Sequence, residues 1–334
     1  MNSKLIIIAE AGVNHNGILK KALKLVDVAA KAKADYIKFQ IFSADNLCQK
    51  KHKLAKYQKK NSTSKTQHEL LSKLSLSFKE FEIIRNRCIK KKIKFLASPF
   101  DIPSIKFLKK INSPVIKIPS GEITNVPYLR FIGSLKKRVI LSTGMSTLKE
   151  VRFAINILTK AGTSKKNISV LHCNTEYPAS IRNLNLFSIK YLKDKLGLNV
   201  GYSDHSLGYE ASLIALSFGA TIFEKHFTLN KNLPGPDHLS SLNPKELNNY
   251  IKKLRYFKES IGFYNKKPSK IEIANTKIVR KQIVAKKKIL KGEIFTKNNI
   301  TTKRASKGIS AANWDKIIGK RSKFNLQKEN NIKV

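Results

Sequence analysis

Eight short apolar runs in this 334-residue chain each end in residues able to do chemistry. In chain order they deliver Glu10, then Lys38 and Gln40, then Ser98, then Lys117, Ser120 and Glu122. Ser142 and Thr143 follow, then His172, Asn174, Thr175 and Glu176, then Ser203, Asp204 and His205, and finally Glu224, Lys225 and His226. A run that only closed a structural loop would more often stop at Gly, Asn or Pro. Gathered at one mouth, three lysines and several hydroxyls suit an anion carrying both phosphate and carboxylate. The ammonium groups supply charge, and the hydroxyls and loop N–H groups take phosphate oxygens. One lysine at a strand end is ordinarily solvated and one serine ordinarily finishes a turn, so the reading rests on their joint placement. His205 and His226 close neighbouring runs, and two imidazoles so placed could hold a divalent metal with positions left for water and a substrate oxygen. On spacing alone, hydrogen-bonded structural histidines are the more ordinary reading of such a pair. His15 and His238 also fall in loops, whereas His52 and His68 lie in a Lys-rich stretch and are expected at the surface.

The elements that must position these residues form a regular series. Strands are expected at Leu5–Ala9, Tyr36–Gln40, Lys94–Ala97, Val115–Ile118, Val139–Ser142, Ser169–His172, Asn199–Tyr202 and Thr221–Glu224. Helical patterns separate them: Leu19, Ala22, Leu23, Val26 and Ala30 share one face. Ser77 with Glu80 and Thr147 with Glu150 read as capping boxes, and Asn243-Pro244-Lys245-Glu246 as a cap with proline at the first helical position. Eight strand–helix alternations over residues 1–264 predict an α/β fold, a (β/α)8 TIM barrel, ahead of an open doubly wound sheet. The gap from Ile41 to Ile93 is long and polar and should carry an extended loop. Residues 265–276 read as a polar linker. Residues 277–334, with β-like runs at Lys281–Ala285 and Ile294–Phe295 broken by Gly292, Gly308 and Gly319, read as a small β-rich domain. Its last residues, Gln327–Val334, are polar and expected to fray.

Composition removes several alternatives. No stretch approaches the ~20 apolar residues of a membrane span, and Leu5–Ala9 is too short for a signal-peptide core. A cytoplasmic protein is therefore expected. Three cysteines, Cys48, Cys88 and Cys173, are too scattered for a disulfide framework and read as small buried side chains. The net charge of +44, from 66 Lys and Arg against 22 Asp and Glu, is mostly lysine spread over the whole chain. With no basic stripe and no interleaved aromatics, it argues against nucleic acid as the partner and for a general attraction towards anionic metabolites.

Nine segments carry a resemblance: AEAGVNHNG (9–17), IKFQ (37–40), SPF (98–100), KIPSGE (117–122), LSTGM (141–145), LHCNTEYP (171–178), GYSDHS (201–206), EKHFT (224–228) and PGPDH (234–238). In this order they resemble the N-acetylneuraminate (sialic acid) synthase family, which includes the N,N'-diacetyllegionaminate synthases. Residues 284–310 look like that family's SAF (antifreeze-like) domain. The resemblance implies condensation of phosphoenolpyruvate with an open-chain N-acetylated hexose, giving a nine-carbon α-keto acid and phosphate. It assigns Lys38, Ser98, Lys117, Ser120, Ser142 and Ser203 to phosphoenolpyruvate, with Asn174, Thr175 and Tyr177 lining the same site. His205 and His226 would hold Mn2+ or Mg2+. Glu10 matches a carboxylate that handles protons or water, while Glu122 and Asp237 match partners of sugar hydroxyls. Arg304 matches an arginine reaching from one subunit's SAF domain into the other's barrel, which implies a domain-swapped homodimer. Where the family has Arg-Pro-Gly at this tip, the chain has Arg304-Ala305-Ser306, a less restrained turn. Two rivals stand beside this reading. Another phosphoenolpyruvate-dependent 3-deoxy sugar-acid synthase would have no reason to carry an SAF domain. A carbohydrate- or ice-binding module would leave the strand ends unexplained.

Overall fold

The structure is a computed structural model that describes residues 5–55, 58, 63–262 and 265–334. Strand β1 (Ile6–Gly12) pairs in parallel with β2 (Tyr36–Ile41) on one side and with β8 (Ile222–His226) on the other. Parallel pairing continues from β2 to β3 (Lys94–Pro99). From β8 it runs through β7 (Asn199–Asp204), β6 (Ile168–Cys173) and β5 (Arg138–Ser142) to β4 (Val115–Ile118). The resulting order, β3-β2-β1-β8-β7-β6-β5-β4, is cyclic, and β3 lies beside β4. An open doubly wound sheet would reverse its strand order at an internal switch point. This one never does, so the eight strands form the expected TIM-type barrel.

Period-two alternation divides the barrel strands into two sets. Ile8, Leu96, Val115, Ile140, Leu171 and Ile222 make one buried cluster that fills the barrel floor. Strand residues of the opposite parity, including Ile7, Ala9, Ile37, Phe39, Ile116 and Phe223, pack in a separate cluster with the surrounding helices. Two residues beyond these floor residues the inward positions turn polar, except on β6, where Cys173 follows Leu171. Several strands run further into these polar residues than their apolar runs suggest: β1 includes Glu10, β7 Asp204 and β8 His226. Ladder pairing depends on the backbone, so it persists where the side chains turn from apolar to charged.

All three expected capping boxes form, at Ser77/Glu80, Thr147/Glu150 and Asn243/Glu246. The long segment after β2 is not only loop, for it carries helices at Ala44–Leu47 and Gln67–Leu74. Residues 56, 57 and 59–62 of this segment lie outside the described residues, as does the boundary expected at residue 264. The chain divides into two compact units, Met1–Gly262 and Phe263–Val334.

In the second unit, the stretch read as linker instead contains a helix, Lys270–Val279, opened by a Ser269/Glu272 capping box. Strand β9 (Lys281–Ala285) is central between β10 (Ile300–Arg304) and β11 (Ile309–Ser310), all antiparallel. Ile294 makes only an isolated bridge to Arg321, not the expected strand. Nor does the tail fray. Ile332 is buried in the unit's small core with Ile283, Ala285, Ile289, Phe295 and Leu326, and Asn331 bridges to Val284.

Gly201 shows how closely the barrel wall packs. A Cβ there would collide with the Ile222 carbonyl oxygen and stand 2.6 Å from Leu171 Cδ2. Backbone cannot yield as a flexible side chain can. Gly201→Ala should therefore lose at least about 2 kcal/mol of stability by urea unfolding; an unchanged midpoint would contradict the packing described.

Candidate active site

Above the apolar floor the inward side chains of all eight strands surround a cavity of about 350 Å³. Glu10 (β1), Lys38 (β2), Ser98 (β3), Lys117 (β4), Ser142 (β5), Ser203 (β7) and Glu224 (β8) all line it. Lys38 Nζ stands 3.1 Å from Glu10 Oε2, 3.5 Å from Glu224 Oε1 and 3.0 Å from the Ser98 hydroxyl, to which it donates. Lys117 Nζ donates to Ser142 Oγ at 2.6 Å and lies 3.6 Å from the same Glu224 oxygen. Ser203 Oγ donates to Glu224 Oε1 at 2.9 Å. One carboxylate thus joins both lysines, and all four charged groups are buried.

Burial and attraction act on these groups in opposite directions. Glu10 is pushed up to about 7 by burial, which outweighs the attraction of Lys38. Burial also raises Glu224, but the pull of Lys117 and then Lys38 prevails and brings it down to about 2. For Lys38, burial disfavours the charge and the two carboxylates more than restore it, so its pKa rises. Lys117, with one carboxylate in reach and that one shared, is lowered by burial. With Glu10 protonated, two ammonium groups face one carboxylate, and the cluster carries a net positive charge.

Gly12 closes β1 with φ of 51°, and a Cβ there would lie 3.2 Å from Glu10 Oε1 and 3.4 Å from His226 Cε1. Glycine lets the carboxylate and the imidazole share that corner. The rings of His226 and His205 stand 5.4 Å apart, and Tyr177 packs on His205 at 4.2 Å. His205 Nδ1 is tied to the Asn174 carbonyl, which leaves Nε2 for other partners. His226 Nδ1 is buried with no hydrogen-bond partner among the described residues and lies 3.8 Å from Asp237 Oδ2. Burial lowers His205 to about 4 and His226 well below the ordinary imidazole range, so both rings are neutral, the form that binds metal. The Asp237 carboxyl is pushed up to about 6, also by burial. No group of three or more His, Cys, Asp or Glu is arranged to hold a metal among the described residues.

Most residues singled out in the sequence meet here. Ser120 and Glu122, on the short 3-10 turn after β4, line the cavity with Thr175 and Tyr177. Burial raises Glu122, whose Oε2 accepts from Asn125. Asp237 lines a small side chamber that shares Gln40, Tyr177 and His226 with the main cavity. Asn174 instead turns its side chain to the Asn183 carbonyl beside a neighbouring cavity, and only its backbone serves His205. Lys225 does not join the other two lysines: its ammonium lies 3.0 Å from Asp204 Oδ2, away from the mouth. Arg304 is an exposed residue at the end of β10 in the second unit. Glu224 is central here, although the sequence marked it only as a strand-end residue, and Cys173 and Gln40 join it on the lining. The signal for all three was parity with a known inward residue two positions away.

A TIM barrel whose mouth sets two buried lysines and a ring of hydroxyls beside two neutral histidines defines a barrel enzyme with a cationic centre. The chain belongs to the NeuB family, whose model matches residues 25–266, and a SAF domain model matches residues 280–328. It is 46% identical over 331 residues to an N,N'-diacetyllegionaminic acid synthase of Campylobacter jejuni, covering 99% of each chain. Another N,N'-diacetyllegionaminic acid synthase, from Legionella pneumophila, is 42% identical over 96% of this chain and 91% of its own. A crystal structure of an N-acetylneuraminic acid synthetase from Leptospira borgpetersenii, in complex with citrate, superposes with a TM-score of 0.73 at 34% identity, covering 83% of this chain and 93% of that one.

The raised pKa of Glu10 has a measurable sign. Between its unfolded value of 4.5 and about 7 the folded protein holds a proton that the unfolded chain releases, so this group's contribution to stability falls as pH rises through that window. Glu10→Gln should match its parent near pH 5 and exceed it by roughly 2–3 kcal/mol near pH 8. Urea titrations at the two pH values check this, and a constant difference would refute the assignment.

Proposed function

We infer that the protein is a phosphoenolpyruvate-condensing synthase of nine-carbon α-keto sugar acids, with 2,4-diacetamido-2,4,6-trideoxymannose as its sugar. The observation that carries this is the buried Glu10–Lys38–Glu224–Lys117 cluster opening beside His205 and His226, in a chain whose 46% and 42% identical relatives are named N,N'-diacetyllegionaminic acid synthases. The matched SAF domain favours this over other 3-deoxy sugar-acid synthases, and the lined catalytic mouth favours it over a binding module.

In this reading Lys38 and Lys117, with Ser98, Ser120, Ser142 and Ser203, hold the phosphate and carboxylate of phosphoenolpyruvate by charge-assisted hydrogen bonds. Thr175 and Tyr177 close the same side. His205 and His226, with Asp237 nearby, would hold Mn2+ or Mg2+; the unpartnered Nδ1 of a buried, neutral His226 fits such a ligand. Such an ion would supply Lewis-acid polarisation of the sugar aldehyde. Glu122 and Asp237 position the sugar hydroxyls. The enol carbon forms a bond to the aldehyde carbon, water adds at the adjacent cationic carbon, and phosphate departs with its bridging oxygen. Glu10, held close to neutrality, either takes the proton from that water or gives one to the new alkoxide. Arg304 completes the sugar site of a partner subunit in a domain-swapped homodimer. A cytoplasmic location belongs with this reading, as do no membrane role and no nucleic-acid partner. Among the described residues no helix is long and apolar enough to cross a membrane.

Phosphate release separates the candidate sugars. With phosphoenolpyruvate and Mn2+, the diacetamido sugar should give a higher kcat/KM than N-acetylmannosamine, and chelator should abolish turnover until Mn2+ is restored. Preference for N-acetylmannosamine would replace the proposed sugar, and full turnover without metal would remove the ion. Lys117→Ala should raise the phosphoenolpyruvate KM roughly 10- to 150-fold, the equivalent of one charge-assisted hydrogen bond. An effect confined to the sugar KM would misplace the anion. Mixing inactive Arg304→Ala and His226→Ala dimers under exchange should restore activity, because some heterodimers then hold one intact site. Exchanged dimers no more active than their parents would exclude an arginine acting in trans.

A further inference from the structure

On β8, Glu224 and His226 face the mouth, and Lys225 between them points the opposite way. It is 1% exposed, among the most deeply buried large side chains of the chain, in a layer otherwise built of groups such as Phe223, Tyr202 and Phe227. A buried ion pair adds little stability over apolar packing of the same volume, so an ammonium here calls for another explanation. Its contacts supply one. Lys225 Nζ lies 3.0 Å from Asp204 Oδ2 and donates to the Ser206 carbonyl at 2.5 Å, so it holds the residues on both sides of His205, one by its carboxylate and the other by its backbone. Asp204 Oδ1 in turn accepts from Ser206 N at 2.9 Å and from Ser206 Oγ at 2.6 Å. Its Oδ2 accepts from Ser212 Oγ at 2.7 Å, and Ser212 meets the Tyr250 hydroxyl at 3.0 Å. Asp204 directly precedes His205, and Lys225 directly precedes His226.

The geometry points to Lys225 and Asp204 as positioning residues: a single ion pair behind the barrel wall links the two histidine-bearing strand ends and sets the spacing of their imidazoles. Neither side chain lines the mouth, so their contact with an ion there would be made through His205 and His226. The inference rests on the metal reading above.

The test is Mn2+ binding to the full, metal-stripped chain, read from the electron paramagnetic resonance signal of free Mn2+ during titration. Lys225→Met should bind Mn2+ roughly 10- to 100-fold more weakly, as when a partner that orients a metal-binding histidine is removed. Phosphoenolpyruvate binding without metal should be unchanged, since Lys38 and Lys117 lie on the opposite side of the strands. If Lys225→Met does not fold, Asp204→Asn serves instead: its amide oxygen can still accept from Ser206, while an uncharged NH2 group, to which the Ser212 hydroxyl can turn a lone pair, replaces the oxygen that faces Lys225. A parent chain that fails to bind Mn2+ would defeat the metal reading itself. A parent that binds, with a folded variant of equal affinity, would overturn the positioning role alone. So would failure of both variants to fold, because the pair would then be holding the fold and not the spacing.

Discussion

The structure turns on the mutual need of four buried ionisable groups at the centre of the mouth. An isolated carboxylate or ammonium in a protein interior carries a penalty of several kcal/mol, yet Glu10, Lys38, Lys117 and Glu224 are all buried at the centre of the mouth. They are tolerable only together. Glu224 is the hinge of the arrangement, since one of its oxygens faces both lysines and accepts from Ser203. The four residues come from β1, β2, β4 and β8, so only a closed strand order brings them within ion-pair distance. Barrel closure and charge compensation are in this sense a single requirement.

Strand parity makes that requirement compatible with a stable core. Five of the inward rows place an aliphatic residue on the floor and a polar one above it: Ile8 below Glu10, Leu96 below Ser98, Val115 below Lys117, Ile140 below Ser142, Ile222 below Glu224. The floor excludes water from beneath and fixes the height of the charges. Outward rows are apolar on nearly every strand and bind the helices. Lys225, with Asp204, is the notable polar intrusion on that outer side, and it sits directly behind the two histidines.

These relations explain what could be read in the amino-acid chain and what could not. Apolar runs and capping boxes are local signals, so all eight barrel strands and the Ser77, Thr147 and Asn243 helix starts were legible. The direction of a side chain depends on where its strand truly ends, and a polar residue after an apolar run gives no such boundary. Lys225 was grouped with Lys38 and Lys117 for that reason, although its parity opposes that of Glu224 and His226. Glu224 was undervalued because its importance lies in two lysines far away in sequence. In the second unit the Ser269/Glu272 box was a readable start, but a polar, Lys-rich lead-in suggested a linker. The tail was misjudged because Ile332 is one apolar residue among polar ones, and only the tertiary fold gives it a core to enter.

The same electrostatics bear on how the mouth would receive an anion. A carboxylate and phosphate lodged between Lys38 and Lys117 would add negative charge beside Glu10, whose proton affinity burial has already raised to about 7. Nearby like charge disfavours the ionised form, so bound anion and protonated Glu10 stabilise each other. By linkage the relation runs both ways: the proton on Glu10 strengthens anion binding to the same degree that the anion strengthens proton binding. The lysines spread over the surface, part of a net charge of +44, add a long-range attraction of the same sign. Release of phosphate would remove that negative charge and return Glu10 to readier ionisation. An anion bound there would thereby be coupled to the protonation of the buried carboxylate, with no moving part beyond a proton.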